Sequence, residues 1–381
     1  MRGEAIHPIV IAAGGTGGHF FPAEALAAEL LARGHRIALM TDARSGALSS
    51  PTFEGRETFV LAGAGLAGRG PVRAAQAAAA MAAGTRQARI ILKRLNPSVI
   101  VGFGGYPCVA PVLAARVLAA RLTSHRPAIV LHEQNAVLGR ANRFLARFAD
   151  CIALGMAQTT HLPGGTPTTI TGNPVRAAVQ ALSGTPYVPP ASDAPIHLLV
   201  TGGSLGARIF SDAVPPAIAL LPQSLRSRLR IVQQCRAEDL ARVATAYADL
   251  GIQADLAAFF PDMAERLAWS HFVIARAGAS TVAEIAAIGR PALLVPLPGA
   301  IDNHQAHNAA SIDADVVDQA EFAAHPAHTA EHLAHTLLNP DMLAMKAHAT
   351  EAHGRPHAAT ALADLVLSLV AERIAAQATQ A

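Results

Sequence analysis

IVIAAGGTGG at residues 9–18 and HLLVTGGSLG at residues 197–206 repeat one local pattern. Each has a short apolar run, two glycines, a hydroxyl residue, one further residue and another glycine, and a helical pattern follows. An apolar run that ends at a glycine turn predicts a buried strand leading into the N-terminus of a helix. Because this unit opens mononucleotide-binding domains and occurs twice, the sequence predicts two such domains in tandem.

Short apolar runs alternate with longer helical patterns in the rest of the chain. The helical patterns include residues 22–33 and 207–220. After the first strand of each half, the predicted strands fall at residues 37–40, 99–102, 128–132, 151–154, 230–234, 271–275 and 292–295. This alternation is typical of βαβ units, so we predict an α/β fold with parallel sheets.

The domain boundaries follow from composition. Residues 182–195, LSGTPYVPPASDAP, are rich in Pro, Ser and Gly, which is typical of an interdomain linker. We assign residues 1–175 to an N-terminal domain and residues 176–357 to a C-terminal domain. A last helical pattern at residues 358–381 either closes the second domain or crosses back to the first, and we expect it to pack on the first.

Composition limits the class of protein. The 381-residue chain is 51% hydrophobic and 15% charged, so it can bury two cores and is not disordered. A net charge of +3 and 4% aromatic residues argue against nucleic-acid binding. The three cysteines fit no zinc or redox spacing and indicate reduced thiols in a core. No apolar run reaches the ~20 residues of a membrane span, so we expect a soluble chain.

The first glycine loop, residues 14–18, brings backbone close to a ligand at the start of a helix. It is not a P-loop, because no Lys-Ser/Thr pair follows, and Phe20 stands where a dinucleotide fingerprint needs its third glycine. His19 follows the loop at the carboxyl edge of the first strand and can act as a general base near neutral pH. The alternatives are a tight turn for the glycines and a capping or packing role for His19.

Two loops in the second half predict a phosphate site. Ser204 of the second glycine loop can donate to a phosphate oxygen at a helix N-terminus. GASTVAE, residues 278–284, follows a strand and opens another helix, where it can hold a phosphate or sugar while Glu284 accepts from ribose hydroxyls. The alternative is a capping box from Thr281 to Glu284, and Arg276 either faces the anion or is solvated.

Further polar clusters have both functional and structural interpretations. HEQN at residues 132–135 leaves a strand at its carboxyl edge, and DNHQ at residues 302–305 suits sugar hydroxyls. The alternatives are a solvated loop for HEQN and an N-cap with solvated neighbours for DNHQ. Possible metal ligands occur on a helix face and in an acidic pair, namely His328, His332, His335, Asp313 and Asp315. Because their surroundings are Ala-rich and surface-like, we predict no metal site.

Six motifs in order carry a resemblance to one family. They are GGTGGH at residues 14–19, GGY at 104–106, HEQN at 132–135, GNPVR at 172–176, GGSLGAR at 202–208 and RAGASTVAE at 276–284. With them the chain resembles the peptidoglycan UDP-N-acetylglucosamine transferases, which convert lipid I to lipid II. The resemblance implies a GT-B architecture of two Rossmann-like domains facing across a cleft. It also implies that the C-terminal domain binds the sugar nucleotide and the N-terminal domain takes the lipid acceptor.

The resemblance also implies a reaction and its residues. In the implied reaction, the muramyl 4-hydroxyl of the acceptor attacks the anomeric carbon of UDP-N-acetylglucosamine with inversion, His19 is the candidate base, and no metal or other cofactor is required. The implied acceptor-side residues are Tyr106, His132, Glu133 and Asn142. The implied donor-side residues are Thr16, Gly17, Gly18, Asn135, Arg176, Ser204, Phe260, Ala279, Ser280, Thr281, Val282, Ala283, Glu284 and Gln305.

The implied location is the cytoplasmic face of the bacterial inner membrane, where the chain is bound peripherally. A basic, Ala-rich stretch at residues 69–94 predicts contact with an anionic membrane surface, and a solvated helix face is the alternative. Lipid I and proteins of cell-wall synthesis and division are the implied partners.

Three other functions fit parts of the pattern. The first is another GT-B enzyme such as a UDP-N-acetylglucosamine epimerase, against which the combination of HEQN, GNPVR and GGSLGAR counts. The second is an NAD-dependent oxidoreductase with Asp42 on the adenine ribose, against which the missing third fingerprint glycine counts. The third is a sugar-nucleotide sensor without catalysis, which binding without turnover would identify.

Overall fold

The computed structural model describes residues 7–14, 17–43, 50–62, 71–119, 127–203 and 206–378. Contacts divide the chain into two compact units, Met1–Arg176 with His357–Ala381, and Ala177–Pro356. Two of the predicted site residues, Thr16 and Ser204, lie outside the described residues.

The first unit contains a seven-stranded parallel sheet. Its strands are β1 (Ile9–Ala12), β2 (Ile37–Thr41), β3 (Thr58–Val60), β4 (Val99–Gly102), β5 (Ala128–Glu133), β6 (Cys151–Leu154) and β7 (Thr168–Ile170). They lie in the order β3-β2-β1-β4-β5-β6-β7. Every residue of β1, β2, β4, β5 and β6 is buried, as expected of a parallel sheet that is covered on both faces.

Helices cover both faces of this sheet. They are α1 (Gly17–Ala32), α2 (Pro71–Leu95), α3 (Tyr106–Ala119) and α4 (Arg140–Leu145). On one face Val10 and Ile100 share a core with Leu92 of α2, and on the other Ile11 and Val101 share a core with Leu26 of α1. Successive strand residues point to opposite faces, so each strand contributes to two cores.

The second unit contains a six-stranded parallel sheet in the order β10-β9-β8-β11-β12-β13. Its strands are β8 (Ile196–Thr201), β9 (Leu229–Gln234), β10 (Gln253–Ala257), β11 (Phe272–Ala275), β12 (Ala292–Leu294) and β13 (Asp315–Val316). Its helices are α5 (Ala177–Leu182), α6 (Arg208–Ala219), α7 (Gln223–Arg226), α8 (Leu240–Asp249), α9 (Met263–Trp269), α10 (Ala279–Ile288), α11 (His304–Ala309), α12 (Gln319–Ala324), α13 (Pro326–Leu337) and α14 (Pro340–Ala352).

The last helix, α15 (Ala358–Ala378), packs on the first unit. Its Leu362 and Val366 are completely buried in the core that contains Leu26 of α1. An ion pair of 2.5 Å between Arg33 and Asp364 lies at the edge of this contact. The chain therefore returns to its first sheet after completing the second.

The predicted strands are present, with ends that differ by at most one residue. The strands that the sequence did not predict are β3, β7, β10 and β13, and these are the edge strands of the two sheets. Their residues are largely exposed or half-buried, so they lack the continuous apolar run that marks a covered parallel strand.

Each sheet has a point at which the strand order reverses. In the first sheet this point lies between β1 and β4, and in the second between β8 and β11. Open α/β sheets bind ligands outside the carboxyl ends of the strands at such a point, because the loops there leave in opposite directions. The two glycine loops follow β1 and β8, so both lie at these positions.

Candidate active site

In the first unit, His19 of α1 lies against the turn that follows β4. Gly104 and Gly105 form this turn with φ of 83° and 70°, a left-handed backbone that glycine adopts at little cost. A Cβ built on Gly104 would lie 3.4 Å from His19 Nε2, and one built on Gly105 would lie 3.4 Å from its Cδ2. Both distances are ordinary van der Waals contact, so the turn packs against the imidazole, and its positive φ angles are what favour glycine there.

The Cys108 thiol ties this turn to the end of β1. Its Sγ donates to the carbonyl oxygens of Ala12 and Gly104, both at 2.9 Å. Burial raises the pKa of the thiol to about 12, so it stays protonated and acts as a donor. Cys108 is thus a core residue, as the sequence predicted, and it fixes the turn beside His19.

The imidazole of His19 is held in its neutral form near neutral pH. Burial lowers its pKa below the usual 6.5, and the carboxylate of Glu133 opposes part of this effect. A neutral imidazole at the carboxyl edge of the sheet can accept a proton from a hydroxyl group. The geometry therefore fits the predicted role of His19 as a general base.

Glu133, the last residue of β5, is the centre of a buried hydrogen-bond network. Its Oε1 accepts from the backbone N and the Nδ2 of Asn135, at 3.1 and 3.0 Å. Its Oε2 accepts from Gly139 N at 2.8 Å and from Asn142 Nδ2 at 2.9 Å. Four donors around one carboxylate stabilise its charge and order the loop after β5.

His132 is completely buried, and both of its ring nitrogens are hydrogen-bonded. Gln134 Nε2 donates to Nδ1 at 3.0 Å, and Nε2 lies 3.1 Å from the Gly172 carbonyl, so the proton resides on Nε2. Burial, with a smaller contribution from the nearby His19, lowers the pKa of His132 to about 4, although the hydrogen bond to Gly172 opposes this shift. His132 thus joins the HEQN loop to Gly172 as a neutral group.

The residues predicted on the acceptor side have different surroundings. Tyr106 is half-buried at the start of α3, whereas His132, Glu133 and Asn142 are buried in the network of the HEQN loop. The last residue of GNPVR, Arg176, is half-buried, and its guanidinium lies 5.9 Å from the ring of Phe21, two residues after His19. Arg176 therefore lies near α1 in the first unit.

In the second unit, the N-terminus of α10 follows β11. The helix begins at Ala279, and its N-cap residue Gly278 makes no side-chain cap. The predicted alternative of a capping box from Thr281 to Glu284 is therefore wrong, because Glu284 lies in the second turn, where it is buried. The hydroxyl oxygen of Ser280 is buried and makes no hydrogen bond within the described part of the chain. This helix end thus presents unused donors.

Arg276 is buried, so the predicted alternative of a solvated side chain is wrong, and contact with an anion stays a prediction. Its Nη1 donates to the carbonyls of Val295 and Pro296 at 3.0 and 3.2 Å. Its Nη2 donates to Gln319 Oε1 at 2.5 Å. The guanidinium therefore braces the loop before α10 against its neighbours.

Sequence reasoning missed Gln234, which supports the second glycine loop. Gln234 Oε1 accepts from Thr201 Oγ1 at 3.0 Å and from Gly202 N at 3.2 Å, and its Nε2 donates to Ala258 O at 3.2 Å. A Cβ built on Gly202 would lie 2.2 Å from the Ala207 nitrogen, so only glycine fits there. The sequence feature that could have identified Gln234 is a polar residue at the end of a buried strand next to the glycine loop.

Helix α11 and the loop after β10 contain the remaining predicted contacts. Gln305 Oε1 accepts from Leu297 N at 2.9 Å, which closes the loop after β12. Asn308, which sequence reasoning also missed, is buried and donates to Ala277 O at 3.1 Å. Phe260 is buried beneath the guanidinium of Arg266, 4.0 Å from its ring centroid. These contacts order the backbone around the N-terminus of α10 and after β10.

Four of the possible metal ligands that the sequence contains lie in side-chain pairs. His328 Nδ1 lies 2.6 Å from Glu321 Oε1, whereas His332 Nε2 lies 3.2 Å from Asp315 Oδ2. Asp313 pairs with His353 Nε2 at 3.1 Å, while Asp315 pairs with Lys346 Nζ at 2.6 Å. Each of the two aspartates therefore has its own nitrogen partner on or just after α14.

Two parallel α/β units, each with a glycine loop at the reversal of its strand order, are typical of nucleotide-sugar enzymes of the GT-B class. Sequence models of glycosyltransferase family 28 match the chain in both units, the N-terminal domain at residues 9–154 and the C-terminal domain at residues 197–362. The chain belongs to glycosyltransferase family 28.

Two relatives carry the same name, UDP-N-acetylglucosamine–N-acetylmuramyl-(pentapeptide) pyrophosphoryl-undecaprenol N-acetylglucosamine transferase. The chain is 56% identical to that of Granulibacter bethesdensis over 96% of this chain and 94% of the relative. It is 52% identical to that of Acidiphilium cryptum over 98% of this chain and 100% of the relative.

Solved structures agree with the fold. The crystal structure of Acinetobacter baumannii MurG superposes with a TM-score of 0.73 at 27% identity, covering 95% of this chain and 99% of that one. A UDP-GlcNAc 2-epimerase from Neisseria meningitidis gives a TM-score of 0.64 at 11% identity over 94% of this chain and 100% of that one, which is a likeness of fold alone. The predicted GT-B fold and family resemblance are confirmed, and the chain is a glycosyltransferase.

Proposed function

We propose that this enzyme transfers N-acetylglucosamine from UDP-N-acetylglucosamine to the muramyl 4-hydroxyl of undecaprenyl-pyrophosphoryl-MurNAc-pentapeptide, lipid I, to give lipid II in peptidoglycan synthesis. The observation that carries the proposal is 56% identity, over 96% of this chain, to a transferase named for this donor and acceptor. The half-buried His19 at the carboxyl edge of the first sheet, whose pKa is lowered by desolvation, supports it independently.

The second unit binds the donor in this proposal. The N-termini of α6 and α10 lie after the adjacent strands β8 and β11, and their N–H groups and dipoles suit the diphosphate. The Ser280 hydroxyl donates a hydrogen bond to UDP-N-acetylglucosamine, and Glu284 accepts hydrogen bonds from its ribose. The uracil contacts the backbone near Phe260. The other proposed contacts of this unit are Ser204, Ala279, Thr281, Val282, Ala283 and Gln305.

The first unit supplies the base and binds the acceptor. His19 removes the proton of the muramyl hydroxyl, whose oxygen bonds to the anomeric carbon as the bond to UDP breaks, so that one displacement inverts the configuration. Tyr106 contacts the acceptor, while His132, Glu133 and Asn142 position the loop. Thr16, Gly17, Gly18, Asn135 and Arg176 are the proposed contacts of this unit with the transferred sugar and its phosphates.

The reaction needs no cofactor in this proposal. The leaving diphosphate gains negative charge in the transition state, and fixed N–H groups at a helix N-terminus stabilise such charge without rearranging. The two helix N-termini after β8 and β11 supply these groups. Excess chelator should therefore leave the rate unchanged.

We also propose that α2 rests on the anionic cytoplasmic face of the inner membrane. Among the described helices, none combines the length and apolar character that crossing a bilayer requires. Exposed residues at helical spacing, Ala82, Arg86, Ile90 and Lys93, combine apolar and basic groups on one face of α2. Enzymes of cell-wall synthesis and division are the proposed protein partners at this surface.

The test is UDP release from UDP-N-acetylglucosamine with and without a soluble lipid I analogue, in excess EDTA. Release should require the acceptor, persist with EDTA and fall by ~10²–10⁴-fold in His19→Ala. His348→Ala, an exposed histidine of α14, is the matched control and should keep the parent rate. Nucleotide binding without acceptor-dependent release contradicts the proposal, and epimerised UDP-sugar in the product would favour the epimerase instead.

A further inference from the structure

A cluster of possible metal ligands lies where α12 meets α13. His325 ends α12 and precedes Pro326, the first residue of α13, so the corner contains a single linking residue. Glu321 lies one turn earlier on α12, and His328 lies in the first turn of α13. One ligand atom from each of Glu321, His325 and His328 lies within 4.8 Å of the others.

The carboxylate of Glu321 is already held between the two imidazoles. Its Oε1 lies 2.6 Å from His328 Nδ1, and its Oε2 lies 3.6 Å from His325 Nε2. The two rings are stacked, with centroids 5.0 Å apart and planes inclined by 24°. All three side chains are exposed, so an ion and its water ligands can reach them.

This set of ligands matches the preferences of zinc-class cations. Imidazole nitrogen and carboxylate oxygen bind Zn²⁺ at ~2.0–2.2 Å, and a tetrahedral ion therefore holds its ligand atoms about 3.4 Å apart. Small rotations of exposed side chains close the present separations of up to 4.8 Å to that value. Three protein ligands leave the fourth position for water.

The backbone at the corner is rigid, which favours a site over a chance surface contact. Pro326 fixes the start of α13, and Phe322 of α12 is buried, with its ring 5.9 Å from that of Phe210 and nearly perpendicular to it. Thr329, in the next position along α13 after His328, is also buried. The three possible ligands therefore project from a fixed frame, so binding an ion requires only side-chain ordering.

We propose that Glu321, His325 and His328 form a binding site for a zinc-class divalent cation on the second unit. The site is independent of the proposed transfer reaction, which needs no metal. Gln319, on the same short helix as Glu321, accepts from Arg276, which braces the loop before α10. An ion at the corner links α12 to α13 and so stabilises the frame that holds this loop.

The test uses the untagged full chain, stripped with chelator and titrated with Co²⁺ as a visible probe. The parent should show the absorption of a low-coordinate Co²⁺ site at one ion per chain, and Zn²⁺ should displace it. Glu321→Gln and His328→Gln should weaken Co²⁺ binding by at least about tenfold. Removing even a residue that only hydrogen-bonds to a metal ligand causes a loss of this size. His335→Gln, an exposed histidine further along α13, is the control and should bind as the parent does.

A second readout separates this site from the other histidines of the chain. Zn²⁺ should raise the unfolding temperature of the parent and of His335→Gln, and it should not raise that of Glu321→Gln. Absence of bound Co²⁺ in the parent overturns the proposal. Unchanged binding in Glu321→Gln and His328→Gln overturns it as well, because the ion would then be held elsewhere.

Discussion

At the scale of single residues, burial decides what each ionisable group can do. His19 and His132 are both titratable near neutral pH in isolation, and burial lowers the pKa of each. His132 uses both ring nitrogens in hydrogen bonds, whereas His19 lies beside a glycine turn at the edge of the sheet. The same residue type therefore holds a loop in one position and is available for proton transfer in the other.

The pH dependence of the rate should reflect the protonation of His19. The imidazole must be neutral to accept a proton, and protonation removes activity as the pH falls through its pKa. Since burial lowers that pKa, the acidic limb of kcat/KM should have its midpoint below 6.5. His19→Gln should lose this limb and lower the rate by ~10²–10⁴-fold. A midpoint at or above 6.5, or a limb that persists in His19→Gln, contradicts the assignment.

Gly104 and Gly165 offer a matched pair of substitutions. Both have positive φ, 83° and 86°, so alanine costs each of them ~1–2 kcal/mol of stability. A Cβ on Gly104 would touch His19, whereas one on Gly165 would meet no atom within 4 Å. Urea unfolding should show similar destabilisation for Gly104→Ala and Gly165→Ala, and steady-state kinetics should show a lower kcat for Gly104→Ala only. Equal kcat values in Gly104→Ala and Gly165→Ala would show that this turn does not affect the function of His19.

At the scale of elements, the sequence predicts covered strands and misses exposed ones. The strands beside each reversal point are short apolar runs with a glycine at the strand end or within three residues after it, so the local sequence marks them. The edge strands β3, β7, β10 and β13 each pair with one neighbour, and no continuous apolar run marks them. Their existence depends on tertiary contacts that the local sequence does not contain.

The same limit applies to the residues that support the loops. The glycine loops and HEQN could be predicted, because glycine and clustered polar side chains stand out at strand ends. Arg276, Gln234 and Asn308 could not, since each is bonded to groups that are distant in the sequence. Their roles follow from the burial of polar atoms, which requires a partner for each.

The strand end at Gln234 should control nucleotide binding. Gln234→Leu removes the acceptor used by Thr201 Oγ1 and Gly202 N, and an unmatched buried donor costs ~1–3 kcal/mol. Because these donors shape the second glycine loop, calorimetry should show UDP binding weakened about tenfold or more, as 1.4 kcal/mol predicts. Gln253→Leu, at the exposed amino end of β10, should bind UDP as the parent does. An unchanged UDP affinity in Gln234→Leu would show that this residue does not contribute to the donor site.

At the scale of the whole molecule, each unit contains its own sheet, and α15 links the end of the chain to its beginning. Leu362 and Val366 of this helix are completely buried against the first sheet. A helix contributed from the far end of the chain makes the first unit depend on synthesis of the second. The sequence could offer this arrangement only as one of two alternatives, since an apolar helix face does not specify its partner.

The proposed attachment to a membrane surface belongs to the scale of the whole molecule, and charge neutralisation on α2 tests it. Arg86 and Lys93 are exposed on the face that includes Ile90, and each basic residue near an anionic surface contributes ~1 kcal/mol. Arg86→Gln with Lys93→Gln should therefore weaken binding to anionic vesicles about thirtyfold in a sedimentation assay. Activity on a soluble lipid I analogue should stay at the parent level, because α2 contributes no proposed catalytic group. Arg355→Glu changes the net charge by the same amount on an exposed residue of the second unit and should leave vesicle binding intact. Equal losses in both variants would show that total charge, and not α2, determines the attachment.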